Sequence, residues 1–142
     1  MAKDVRSLSR GSRLAWGFVC IAIGCYPIAI SFGLVPFDDA PLNAPQWVVA
    51  GAGIAFVIAG LMILLAHHPR ANDFLAGVLC MLFGFMGAWV ALFSSSAGFS
   101  GGWFFLSDEQ NETIGRWVFG VGAVVSFAVA AWAFRRASQS SR

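Results

Sequence analysis

The stretch QWVVAGAGIAFVIAGLMILLA, residues 46–66, contains no Asp, Glu, Lys, Arg or His. At about 1.5 Å rise per residue, a helix of this length matches the hydrocarbon core of a bilayer, about 30 Å. Inside lipid every backbone N–H needs a partner within its own segment, so such a run is expected to be helical. A barrel strand would be about ten residues long with alternating polarity, and that alternation is absent. Working outward, residues 14–35, 74–93 and 117–134 are equally free of charge. Each of the four runs has roughly 18–22 residues, enough to span. The expected fold class is an all-α integral membrane protein. It is a four-transmembrane-helix bundle forming a single membrane domain over residues 1–142, with outer loops at 36–45 and 94–107.

Composition agrees. The chain is 58% hydrophobic and 11% charged, whereas soluble domains are about a quarter charged. Too few polar groups remain to cover a water-facing surface. Basic residues set the expected orientation. Lys3, Arg6, Arg10 and Arg13 precede the first run, Arg70 lies between the second and third, and Arg135, Arg136 and Arg142 follow the fourth. On the opposite side stand Arg116 alone and the acids Asp38, Asp39, Asp108, Glu109 and Glu112. That asymmetry predicts both termini in the cytoplasm and a basic face attracted to anionic membrane lipids. The Ala/Gly/Trp-rich style points to a bacterial inner (plasma) membrane. The few basic residues flank spans, so no nucleic-acid partner is expected. A basic start followed by IAIGC, residues 21–25, also fits a lipoprotein signal with Cys25 lipidated. Ala22, where Leu is usual, and an apolar run reaching Val35 weigh against cleavage.

Helix ends have their own signals. Asn43 and Gln46 have capping-box spacing, with Pro45 in the first turn. Ser107 and Gln110 have the same spacing. Asp108, Glu109 and Glu112 would then lie in first turns, where the helix dipole favours anions. The last helix is therefore expected to begin near Asp108, with Glu112 and Arg116 forming an i,i+4 pair. Pro27 inside the first run is a candidate kink, eased by Gly24 one turn earlier. Tyr26 places a hydroxyl within the apolar run, with Ser31 or Ser126 as candidate partners.

GFVCIAIG at 17–24 and GVLCMLFG at 77–84 share a Gly-x-x-Cys-x-x-x-Gly frame, and QWVVA at 46–50 resembles RWVFG at 116–120. The order in each half is the same, which reads as two repeated helical hairpins. Gly recurs at seven-residue spacing in all four runs: Gly17/Gly24, Gly53/Gly60, Gly77/Gly84 and Gly115/Gly122. Seven residues is close to two turns, so each pair occupies one face and marks candidate helix packing. The whole resembles small bacterial four-helix inner-membrane proteins, a likeness of style that assigns no site.

The chemistry points away from catalysis. Cys20, Cys25 and Cys80 lie inside the runs and read as small buried apolar residues. His67 and His68, in AHHPRAND, could bind a metal and Arg70 a phosphate, but a solvated turn stopped by Pro69 is the expected role. No Ser-His-Asp set, HExxH or phosphate loop is present, so no catalytic, metal or cofactor-binding residues are assigned. No ionisable group lies within a run, which disfavours coupled transport. The sequon NET at 111–113 stands too close to the last run for easy glycosylation. The expected function is a small non-enzymatic structural or accessory subunit, or a homo-oligomer, possibilities that include a larger membrane complex. Two alternatives are a homo-oligomeric channel or pore-type effector, and recognition of an outer-side ligand or toxin through residues 94–112. Candidate interaction residues there are Phe99, Trp103, Phe104, Phe105, Asp108, Glu109 and Glu112, with an interfacial aromatic anchor as the plainer role of the loop.

Overall fold

The computed structural model describes residues 9–35, 45–93 and 108–139. It is all-helical, with α1 at Arg10–Ser31, α2 at Gln46–Leu64, α3 at Pro69–Phe93 and α4 at Asp108–Gln139. Each helix is long and apolar enough to cross a membrane.

Local chemistry sets the ends, and several differ from the apolar runs. Helix α1 begins before its run because Ser9 caps it, its Oγ accepting from the Ser12 N–H at 3.2 Å. It stops at Ser31 although the apolar run continues to Val35. Gly33 takes a left-handed φ of +68°. Its N–H donates to the Ile30 carbonyl and that of Leu34 to the Ala29 carbonyl, each at 2.9 Å. This pair of bonds is a Schellman stop, signalled in the sequence by Gly33 and the nearby Pro36.

The cap expected at Asn43 is not the start of α2. The N-cap is Pro45, with no side-chain cap bond, and Gln46 is the first helical residue. A cap at Asn43 would have required Ala44 to be helical directly before a proline, where the ring clashes with the α conformation. Helix α2 ends at Leu64 rather than Ala66, through a tight turn in which the His68 N–H donates to the Leu65 carbonyl at 2.8 Å. Pro69 opens α3 instead of only ending α2; the first helical position needs no N–H. Helix α4 has 32 residues, about 48 Å by the usual rise, and so runs well beyond its apolar segment. The Glu112–Arg116 ion pair forms at 2.8 Å. Ser107, the expected cap, lies outside the described residues.

Two antiparallel hairpins, α1/α2 and α3/α4, account for most of the packing. Helices α2 and α3 form a thinner join, and α1 has no comparable contact with α4. The join uses Gly51, where an added Cβ would stand 3.0 Å from Met86 Sδ. Trp47 meets Trp89 edge-on at 5.1 Å at the other end from the His67 turn.

The interior is built of small residues. Among the described residues the buried apolar positions are Ala55, Ile58, Ala66, Ala123, Ala130 and Ala133, and no large side chain is fully buried. The large ones, such as Trp16, Phe18, Phe85, Trp117, Val124 and Trp132, stand exposed. This is the reverse of a soluble domain, whose large apolar side chains fill the core.

Candidate functional site

The closest packing lies along the two hairpin seams. In the first, a Cβ added at Gly24 would stand 2.5 Å from the Gly53 carbonyl oxygen, and one at Gly53 would stand 2.5 Å from the Gly24 carbonyl oxygen. Two turns away, a Cβ at Gly60 would stand 2.7 Å from the Gly17 oxygen, and one at Gly17 would meet Leu64 Cδ2 at 2.5 Å. In the second seam the obstacles at Gly77 and Gly84 are rings, while a Cβ at Gly87 would stand 3.2 Å from the Phe119 carbonyl oxygen. Phe134 lies over Gly77 and Phe127 over Gly84, each with a ring carbon 2.7 Å from an added Cβ.

The two seams correspond position by position. Gly17 and Gly24 lie sixty residues before Gly77 and Gly84, while Leu64 and Val57, their neighbours on α2, lie seventy before Phe134 and Phe127 on α4. By the same offset Gly53 and Gly60 correspond to Ala123 and Ala130, which are 4% and 0% exposed. These alanines, with Ala133, are the small residues α4 turns inward. The expected pair Gly115/Gly122 is not equivalent to them: Gly122 is exposed and a Cβ there would meet nothing within 4 Å, and Gly115 is half-buried. The likeness of QWVVA to RWVFG, which pairs Trp47 with Trp117, already carries this offset, but a search for glycine alone passes over the alanines it points to.

Pro27 sits inside α1. The Ser31 hydroxyl lies 2.8 Å from the Pro27 carbonyl oxygen and 3.1 Å from that of Gln46, sharing one proton between the last turn of α1 and the start of α2. Ser31 is therefore not the partner of Tyr26, whose side chain is exposed. The cysteines are free; Cys20 and Cys80 are half-buried, and Cys25 is exposed rather than buried.

Of the candidate interaction residues, Phe99, Trp103, Phe104 and Phe105 lie outside the described residues. Asp108 and Glu109 open α4, and Glu112 is held by Arg116. A different aromatic cluster occupies this end. Trp89 stacks on Phe93 at 4.5 Å while meeting Trp47 edge-on. Its signal was the Trp at the start of one run and near the end of the next, which antiparallel helices bring to one level.

The opposite end is basic. His67 and His68, although adjacent, line different cavities. Among the described residues no three His, Cys, Asp or Glu side chains gather as a metal site. His68 and Arg70 border a groove of about 700 Å³ between α3 and α4, walled by Phe74 and Phe134. Arg70 Nε donates to the Ala137 carbonyl at 3.2 Å. Arg136 Nε lies 3.6 Å from Asp73 Oδ2, and its guanidinium lies 4.9 Å from the centre of the Trp132 ring. His67 borders a second cavity, of about 390 Å³, with Arg10, Arg13, Leu14 and Leu64. Compared with protein-family models, curated proteins and solved structures, the chain has no match.

Proposed function

We propose that this chain is a non-enzymatic integral membrane protein of the bacterial inner membrane, with both termini cytoplasmic, acting as a structural or accessory subunit or as a homo-oligomer. The observation that carries the reading is the inverted surface: four long helices expose their large apolar side chains and bury mainly alanine and glycine. Hydrocarbon suits such an exterior, and small residues suit close helix approach within it. Gly122, on an open face of α4, leaves room for a further helix, which supports association. A polar-lined pore has less support, because Ser31 spends its hydroxyl on two backbone carbonyls.

Two measurements test the reading in sequence. Alkaline carbonate washing should leave the chain in the membrane pellet; release without detergent ends the membrane assignment. After mild detergent extraction from native membranes, native-size analysis should find an oligomer or a copurifying protein. A lone monomer rejects the subunit reading.

A further inference from the structure

The two hairpins differ most sharply at their basic ends. Arg10 and Arg70 lie sixty residues apart, as do Arg13 and Asp73, in the offset that relates the Gly pairs of α1 and α3. Leu14 and Leu64 of one cavity likewise correspond to Phe74 and Phe134 of the other. The two cavities are thus equivalent positions of the two hairpins. In the second hairpin the charges are answered within the chain: Asp73 faces Arg136, and Arg70 donates to a carbonyl at the end of α4. In the first hairpin an arginine stands where the second has its carboxylate. Arg13 is 9% exposed, and its Nε and Nη1 are buried with no hydrogen-bond partner among the described residues. Arg10 and His67 line the same cavity, and among the described residues no acidic side chain does.

A buried guanidinium with unmet donors calls for an anion. Its planar fork matches the oxygens of a phosphate group. The first turn of α1 adds the positive end of a helix dipole. The apolar walls, Leu14 and Leu64, are the first residue of one apolar run and nearly the last of the next. In a membrane-spanning chain this is the level at which lipid headgroups end and acyl chains begin.

We infer that Arg13, Arg10 and His67 form a binding site for a phosphate group, carried by an anionic lipid headgroup or free in solution. The lipid source rests on the membrane reading above; the phosphate chemistry does not. In hairpin two, Asp73 and the Ala137 carbonyl already answer Arg136 and Arg70, so no such site is inferred among its described residues.

The full chain, purified in a neutral detergent, is titrated with inorganic phosphate by calorimetry. In parallel it is offered phosphatidylglycerol or phosphatidylcholine, and bound lipid is counted by native mass spectrometry. Phosphatidylglycerol retained above phosphatidylcholine, with no heat from phosphate, assigns a lipid headgroup; saturable heat from phosphate assigns the free anion, even for a chain that carbonate had released from membranes. In either case Arg13→Gln should weaken binding about tenfold, Arg13→Lys should weaken it less, as expected when a fork is replaced by a point charge, and Arg136→Gln should leave it unchanged. Arg13→Lys retains the buried charge and serves where Arg13→Gln does not fold. The inference is overturned if neither probe binds, if both Arg13 variants bind like the parent, or if Arg136→Gln is as damaging as Arg13→Gln.

Discussion

Hairpins α1/α2 and α3/α4 place glycines at equivalent positions and use them differently. In the first, Gly24 and Gly53 bring backbone against backbone, each with a carbonyl oxygen where the other's side chain would be. In the second, alanine replaces glycine on α4, at Ala123 and Ala130, while phenylalanine replaces Val57 and Leu64 as the neighbour of the α3 glycines. One seam is closed by backbone contact. In the other, rings are seated over Gly77 and Gly84, and a looser backbone approach occurs at Gly87, where an added Cβ would stand 3.2 Å from the Phe119 oxygen. A backbone contact cannot relax without separating two helices, whereas a ring can turn about χ1 and χ2. Similar spacing in sequence therefore produces seams of different tolerance.

The same substitution in both seams should expose that difference. The largest effect is expected for Gly24→Ala, whose new methyl would meet the Gly53 oxygen and the Val57 backbone nitrogen. Denaturant unfolding in detergent should register a loss of about 3 kcal/mol, the upper part of the overpacking range. Gly84→Ala meets the Phe127 ring first and should cost about 1 kcal/mol in the same assay. Adding Phe127→Leu to Gly84→Ala should recover part of that loss. Equal losses at Gly24 and Gly84 would erase the distinction between the seams.

Smaller effects probe the edges of the comparison. Asp73→Asn removes a partly exposed ion pair of hairpin two, with 3.6 Å between its atoms. It should shift unfolding by about 0.5 kcal/mol, as for other surface pairs, and by less at high salt. Gly122→Ala should cost nothing measurable in the monomer, since a Cβ there has no neighbour. A drop in oligomer size on gel filtration after Gly122→Ala would instead mark this face of α4 as a contact between chains.

Much of the fold is legible in the sequence because hydrocarbon-length, charge-free runs leave the backbone little choice but to bond within itself. The i,i+4 pair Glu112–Arg116 is legible for a similar reason, since helix geometry alone brings such residues together. Helix ends are less legible where two signals compete. The apolar run over residues 14–35 promised a later end to α1 than the Gly33 stop permits. Pro69 reads equally well as an ending or a beginning, and only the chain on both sides decides between them. The candidate loop residues 99 and 103–105 lie outside the described structure, while the aromatic cluster and the basic cavity arise from residues far apart in the chain.

By itself the sequence determined that there are four long apolar helices, where most of their turns lie, and which faces carry small residues. These are consequences of composition and of a 3.6-residue period, both local. Which small residues meet was decided only by the tertiary structure. Ala123 and Ala130 turn inward while Gly122 turns out, because neighbours on α3, not residue size, select the buried face of α4. The tertiary structure likewise decided that Asp73 would meet an arginine and that Arg13 would meet no carboxylate among the described residues. Charge balance at each end depends on which helix stands alongside, and no spacing along one helix encodes that.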